Sequence, residues 1–138
     1  KNQMKLTACT KHHPNVHFIH SFDERLARRI YAGSDVMLVP SKFEPCGLIQ
    51  MIAQRYGALP LVRKTGGLGD SVTDGVTGFV FEKYRVNALA AKMHEAIAVY
   101  LAKPEKWQKM VSAAMRQDFS WRVSAKKYRD LYQKLTKT

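Results

Sequence analysis

No stretch of this 138-residue sequence approaches the roughly 18 to 20 continuous apolar residues that a membrane-spanning helix needs, and its start, Lys1-Asn2-Gln3-Met4, carries no apolar leader core. A soluble, non-secreted chain is expected. Cysteine is scarce: Cys9 and Cys46 lie far apart, so reduced thiols are expected and a disulfide framework is not what organises the fold. Acidic residues are few, 11 against 23 lysines and arginines, which leaves a formal net charge of +12. Neither G-x-G-x-x-G nor G-x-x-x-x-G-K-[ST] occurs, so dinucleotide oxidoreductases and P-loop NTPases lack their defining parts. No internal repeat, low-complexity segment or long linker divides the chain, and residues 1–138 read as one domain ending in C-terminal helices over 104–138. An initial Met is also missing, and Leu6 and Cys9 read as part of a helix that starts upstream, so a piece of a longer protein is expected.

What is present supports one modest core: 46% of residues are hydrophobic and 25% charged. The positive charge is spread rather than blocked. Near the C-terminus Lys126, Lys127, Arg129, Lys134 and Lys137 alternate with Tyr128, Leu131, Tyr132 and Leu135 at helical spacing, the pattern of a solvated helix face rather than a nucleic-acid patch.

The order of elements follows from periodicity. Val16-His17-Phe18-Ile19 reads as a short strand, and Asp23 as the N-cap of a helix with Leu26, Ala27 and Ile30 on one face. Val36-Met37-Leu38-Val39, stopped by Pro40, has the continuous apolar character of a strand buried on both faces. Leu48, Met51, Ile52 and Tyr56 recur at helical spacing up to Gly57, a C-cap, and Leu59-Pro60-Leu61-Val62 starts another strand. Strands alternating with helices predict an α/β, doubly wound parallel sheet. Glycine turns follow at Thr65–Asp70 and Gly75–Gly78, before Phe79-Val80-Phe81. From Val86 onward the pattern is helical, with Leu89, Met93, Ile97 and Leu101 on one face, Pro104 opening the next helix and Ser120 preceding the last.

Ligands of open parallel sheets sit beyond the carboxyl ends of the strands. Two segments fall there, Pro40–Leu48 and Arg63–Leu68. In the first, Pro45 suits an early helical position, and the N–H groups of Cys46, Gly47 and Leu48 would face an anion such as a phosphate. Two readings of Glu44 stand open: it accepts hydrogen bonds from the hydroxyls of a sugar on that phosphate, or it merely caps the helix. In the second, Gly66 and Gly67 allow a sharp turn or a close approach. His12, His13, His17 and His20 have no Cys or carboxylate at ligand spacing, so no metal site is expected. Cys46 sits where a nucleophile would, yet the sequence places no histidine to act as its base.

These motifs, Pro40-Ser41-Lys42-Phe43-Glu44-Pro45-Cys46-Gly47-Leu48 with Gln50, Arg55-Tyr56-Gly57 with Pro60, and Arg63-Lys64-Thr65-Gly66-Gly67-Leu68, resemble those of bacterial glycogen synthases and plant starch synthases. The likeness runs on through Gly75–Phe81 and Asp118-Phe119-Ser120-Trp121. It implies the C-terminal half of a GT-B fold, and a retaining glycosyltransferase that moves glucose from ADP-glucose to the non-reducing end of an α-1,4-glucan, without a metal or other cofactor. Carried over by position, Glu44 binds the donor glucose, the N–H groups of Cys46, Gly47 and Leu48 hold glucose and phosphate, Phe22 lies against adenine, and Thr65, Gly66, Gly67 and Leu68 line the donor pocket.

Where many related transferases have a second glutamate, in an E-x(7)-E pattern, this chain has Ile52, as the starch synthase branch does, which favours ADP-glucose over UDP-glucose or another sugar nucleotide. The resemblance also implies a Lys-x-Gly-Gly loop in an N-terminal domain, and an Arg and Lys pair for the diphosphate in the residues just before Lys1; neither is included here, so the piece is expected to be inactive alone. It places the protein in the bacterial cytoplasm, or in the plastid stroma for a plant source. The rival from another class is a non-catalytic module that binds a polyanion or a protein through its basic face.

Overall fold

The computed structural model describes residues 13–136, so the expectations for Leu6, Cys9, His12 and Lys137 fall outside the described residues. The elements run α1 (Glu24–Gly33), β1 (Val36–Val39), α2 (Ile49–Tyr56), β2 (Leu59–Arg63), α3 (Gly66–Ser71), β3 (Phe79–Phe81), α4 (Val86–Ala102), α5 (Pro104–Met115) and α6 (Trp121–Leu135). The strands form one parallel sheet in the order β1-β2-β3, with Val36 beside Leu59 and Leu61 beside Phe79. Because all three run the same way, the loops leaving β1 and β2 emerge at one edge of the sheet.

Alternation along the strands separates two cores. Leu59, Leu61, Phe79 and Phe81 point toward α4 and α5 and pack with Ala96, Val99, Trp107, Met110 and Ala114. The Trp107 ring meets Tyr100 edge-on at 4.9 Å and Phe79 at 6.2 Å. On the opposite face Val39 and Val62 pack with Leu68 of α3 and with Val72. Helical structure on both faces gives the doubly wound α/β layer expected from the sequence. The β3 edge is tied down by Asp74, which accepts the Val80 N–H at 2.8 Å and pairs with Lys92 of α4 at 3.1 Å. Burial pushes the Lys92 ammonium toward neutrality, but Glu95 and Asp74 outweigh it and raise its pKa above the usual lysine value.

Several expectations are corrected. Val16–Ile19 is not a strand: among the described residues no strand pairs with it, and Val16 and Ile19 are exposed. A β-prone run becomes a strand only when a ladder satisfies its backbone. The glycine-rich segment after Thr65 is not all loop but holds the short helix α3, whose poor helix propensity is offset by burial of Leu68 and by tertiary hydrogen bonds to Ser71. Helix α2 begins at Ile49, so Pro45 lies in the loop ahead of it and not in its first turn.

Two helices also face the other way from the predicted stripe. In α2 the buried residues are Gln50, Ala53 and Gln54, while Leu48, Ile52 and Tyr56 are exposed. Tyr56 stacks on Tyr31 of α1 at 5.9 Å. In α4 the inward line is Leu89, Lys92, Ala96 and Val99, and Leu101 is 73% exposed. Steps of four residues drift about 40° each from the 3.6-residue period, so a stripe that starts correctly at Leu89 has left the core by Leu101. Finally, α6 has no buried residue, and its aromatic side is as open as its basic side.

Candidate functional site

The two loops at the strand ends touch backbone to backbone. A Cβ on Gly67 would stand 2.6 Å from both Cα and C of Cys46, and one on Gly66 would run into the Glu44 carbonyl and reach 3.3 Å from the Pro45 Cα. Gly66 also has φ +44°, which side chains disfavour. The contact is sealed by the Gly67 N–H donating to the Pro45 carbonyl at 3.1 Å. Glycine at these two positions is therefore what allows the second loop to lie against the first.

The first loop has an unusual division of its polar groups. Three successive carbonyls are used internally: Pro45 accepts from Gly67, Cys46 from the Gln50 side-chain amide at 3.1 Å, and Gly47 from the same amide at 2.9 Å. The N–H groups of the next residues, Cys46, Gly47 and Leu48, have no acceptor among the described residues. In a trans peptide the N–H points opposite to the preceding C=O, so these three donors face away from the groups that hold the carbonyls. Gly47 at φ +73° followed by Leu48 at φ −107° gives the alternating backbone hand of an anion-binding nest.

Glu44 is placed beside these donors. The Cβ that Gly47 lacks would stand 2.6 Å from the Gln50 Oε1 and 3.1 Å from the Glu44 Cγ, so both side chains crowd the space left open there. The carboxylate has no hydrogen-bond or ionic partner among the described residues. The N-cap of α2 is Leu48, with no side-chain capping bond, so the reading of Glu44 as a helix cap does not hold.

The other residues singled out from the sequence divide. Asp23 caps α1 by accepting the Leu26 N–H at 3.0 Å. The neighbouring Phe22 ring is 90% exposed and free of ring contacts among the described residues. Thr65 is half-buried, and its carbonyl accepts the Leu68 N–H at 3.2 Å. Leu68 is fully buried in the core, so its side chain supports the loop from beneath and does not line its open side. Cys46 is exposed, with its thiol directed to the Gly47 carbonyl at 3.7 Å. His13, His17 and His20 are exposed, and among the described residues no three His, Cys, Asp or Glu gather as metal ligands would.

Three residues matter more than the sequence reading allowed. Gln50 is 0% exposed, and its amide nitrogen also reaches Ser71 Oγ at 3.0 Å. Ser71 in turn donates to the Gly67 carbonyl, which links the loops from below. Arg63, at the end of β2, holds the Ser41 carbonyl at 2.9 Å and that of Lys42, and its guanidinium lies 5.5 Å over the Tyr84 ring. The available signal was Gln50 and Gln54 one helical turn apart, since buried amides demand partners. Beside the β1 end, Pro40, Phe81, Tyr84, Arg85, Val86 and Leu89 line an apolar cleft of about 300 Å³.

A Rossmann-like parallel layer that presents two touching loops at its strand ends fits the half of a GT-B fold that the motif resemblance implies. Residues 1–117 match the model of the family described as glycosyl transferases group 1, and the chain belongs to that family. It is 54% identical over 114 residues to a glycogen synthase of Thermodesulfovibrio yellowstonii, covering 83% of this chain and 23% of that protein. A glycogen synthase of Syntrophotalea carbinolica is 51% identical over 119 residues, covering 82% of this chain and 24% of its own length. The chain thus spans about a quarter of the length of these curated relatives. Among solved structures, the catalytic domain of starch synthase IV from Arabidopsis thaliana, bound to ADP and acarbose, superposes with a TM-score of 0.86 at 39% identity, covering 96% of this chain and 29% of that one. The likeness to glycogen and starch synthases read from the motifs is met on both sides.

Proposed function

We propose that this chain is the donor-binding part of a retaining glucosyltransferase that moves glucose from ADP-glucose to the non-reducing end of an α-1,4-glucan. The observation that carries the reading is the run of three N–H groups, Cys46 to Leu48, without acceptors among the described residues, beside the Glu44 carboxylate, which pairs with none of them either. Such donors suit a phosphate, and a carboxylate next to them suits the hydroxyls of the sugar it carries. Phe22 offers an open ring face to adenine, since stacking needs only the face. That the similar starch synthase structure is bound to ADP supports a nucleotide ligand.

In this reading the remaining diphosphate charge is neutralised by cationic side chains outside residues 1–138, no metal takes part, and the glucan acceptor binds across the cleft between the two halves. Residues 1–138 alone bind the donor but do not turn it over. The test is transfer of labelled glucose to glycogen by the intact protein, with ADP-glucose and UDP-glucose as donors, in the wild type and in Glu44→Ala. The expected result is strong preference for ADP-glucose and loss of transfer in Glu44→Ala with an unchanged fold. Equal use of UDP-glucose removes the donor assignment, and near-normal turnover of Glu44→Ala removes the role of the carboxylate.

A further inference from the structure

We infer that Gln50 is the positioning residue of the phosphate cradle: its buried amide fixes the orientation of two peptide units and so aims the N–H groups of Gly47 and Leu48 at the donor. The inference rests on the donor-binding reading above and goes further, because Gln50 itself touches no substrate. It lies on the inner face of α2 and is fully buried.

The geometry is specific. A glutamine amide has two hydrogens, and here the nitrogen stands within hydrogen-bond distance of three acceptors: one hydrogen goes to Ser71 Oγ, and the Cys46 and Gly47 carbonyls share the other in a bifurcated bond. The Gln50 Oε1 is buried without a partner among the described residues, so this amide is held there by its donors alone. A flipped amide would set that oxygen against two carbonyls and repel them, so the orientation is fixed by the loop it serves. Each peptide unit is planar, and drawing the Cys46 and Gly47 carbonyls inward turns the following N–H groups outward. Without the clamp, Gly47 is free to rotate, since glycine has little steric preference between the two backbone hands. The cradle would then lose its preformed direction while its atoms remained present.

Ser71 extends the device to the second loop. It accepts from Gln50 and donates to the Gly67 carbonyl, and Gln54 holds the Ser71 carbonyl at 3.0 Å. One buried side chain therefore sets the direction of the donors in the first loop and the distance of the second.

The experiment is an ADP titration of the intact protein followed by amide NMR, in the wild type, in Gln50→Glu and in Gln50→Met. Met keeps the length of the side chain without donors, so a reading survives if the buried carboxylate of Glu fails to fold. In each folded variant ADP is expected to bind about tenfold more weakly, the loss typical of hydrogen bonds to a charged group. The responses of Gly47 and Leu48 shrink, while those of Ser21 and Asp23, beside Phe22, persist at saturation. Affinity within about twofold of wild type, with Gly47 and Leu48 responding as before, overturns the inference. Equal loss of both sets of responses also overturns it, because that marks a general structural role. A wild-type protein with no response to ADP strikes the donor reading itself, and the clamp falls with it.

Discussion

Replacing Gly67 by alanine tests the contact on which the site is built. The new Cβ would stand 2.6 Å from the Cα and C of Cys46, where ordinary contact begins at 3.4 Å, and both are backbone atoms with no rotamer to change. The Cys46 carbonyl oxygen is nearer still, so the loops must part by more than about 1 Å, the overpacking that typically costs ~1–3 kcal/mol. That movement stretches the 3.1 Å bond from the Gly67 N–H to the Pro45 carbonyl beyond hydrogen-bond range, which adds about 1 kcal/mol. Urea unfolding is thus expected to show a loss of roughly 2–4 kcal/mol. Turnover by the intact protein should fall about a hundredfold, as misplacement of a reacting group by about 1 Å does. Two other glycines calibrate the result. Gly75→Ala has open space but φ +69°, and should cost only about 1–2 kcal/mol. Gly33→Ala, at the end of α1 with nothing within 4 Å, should be neutral or stabilise by about 0.5 kcal/mol. If Gly67→Ala matches Gly33→Ala in stability and retains full turnover, the two loops are not in the contact described.

Other outcomes follow from the packing and charges. Trp107→Ala empties the junction of Phe79, Tyr100 and Met110, and thermal or urea unfolding should show a loss of about 3–5 kcal/mol. Deleting residues 119–138 removes α6, which buries no side chain, so the unfolding midpoint of the remaining core should barely change; a collapse of stability would contradict the exposed position of α6. The raised pKa of Lys92 means its pairing with Glu95 and Asp74 contributes fully below the ordinary lysine value of 10.5 and is lost as pH rises through the folded value. Lys92→Met should therefore lose part of the alkaline dependence of stability seen in wild type, and identical slopes would exclude the coupling.

The sequence showed most clearly what is determined locally. Val36–Val39 and Leu59–Val62 are continuous apolar runs bounded by Pro40 and Gly57, and both are strands, but only Leu59–Val62 is buried on both faces; β1 lies at the sheet edge with Leu38 exposed. Asp23 and Pro104 marked helix starts because capping and proline geometry are written in one or two residues. The Glu44 and Gly66-Gly67 loops stood out because parallel sheets bind ligands at strand ends and glycines mark close approach. What stayed hidden depends on partners distant in the chain. Val16–Ile19 has the composition of a strand but finds no ladder among the described residues. Helix α3 exists because Gln50, Gln54 and the core beneath Leu68 hold it, none of which is visible in Gly66-Gly67-Leu68-Gly69. The Gln50 clamp was hidden for a similar reason: Leu48, Ile52 and Tyr56 look like the buried face of α2, and only the packing of Ser71 against it reveals that two glutamines take that place.

The most direct test of the cradle is a crystal structure of the intact protein with ADP-glucose bound. The account predicts a donor phosphate within hydrogen-bond distance of the N–H groups of Gly47 and Leu48, and a glucose hydroxyl on the Glu44 carboxylate. A donor seated instead in the apolar cleft between Pro40, Tyr84 and Leu89, with Glu44 facing solvent, would contradict it.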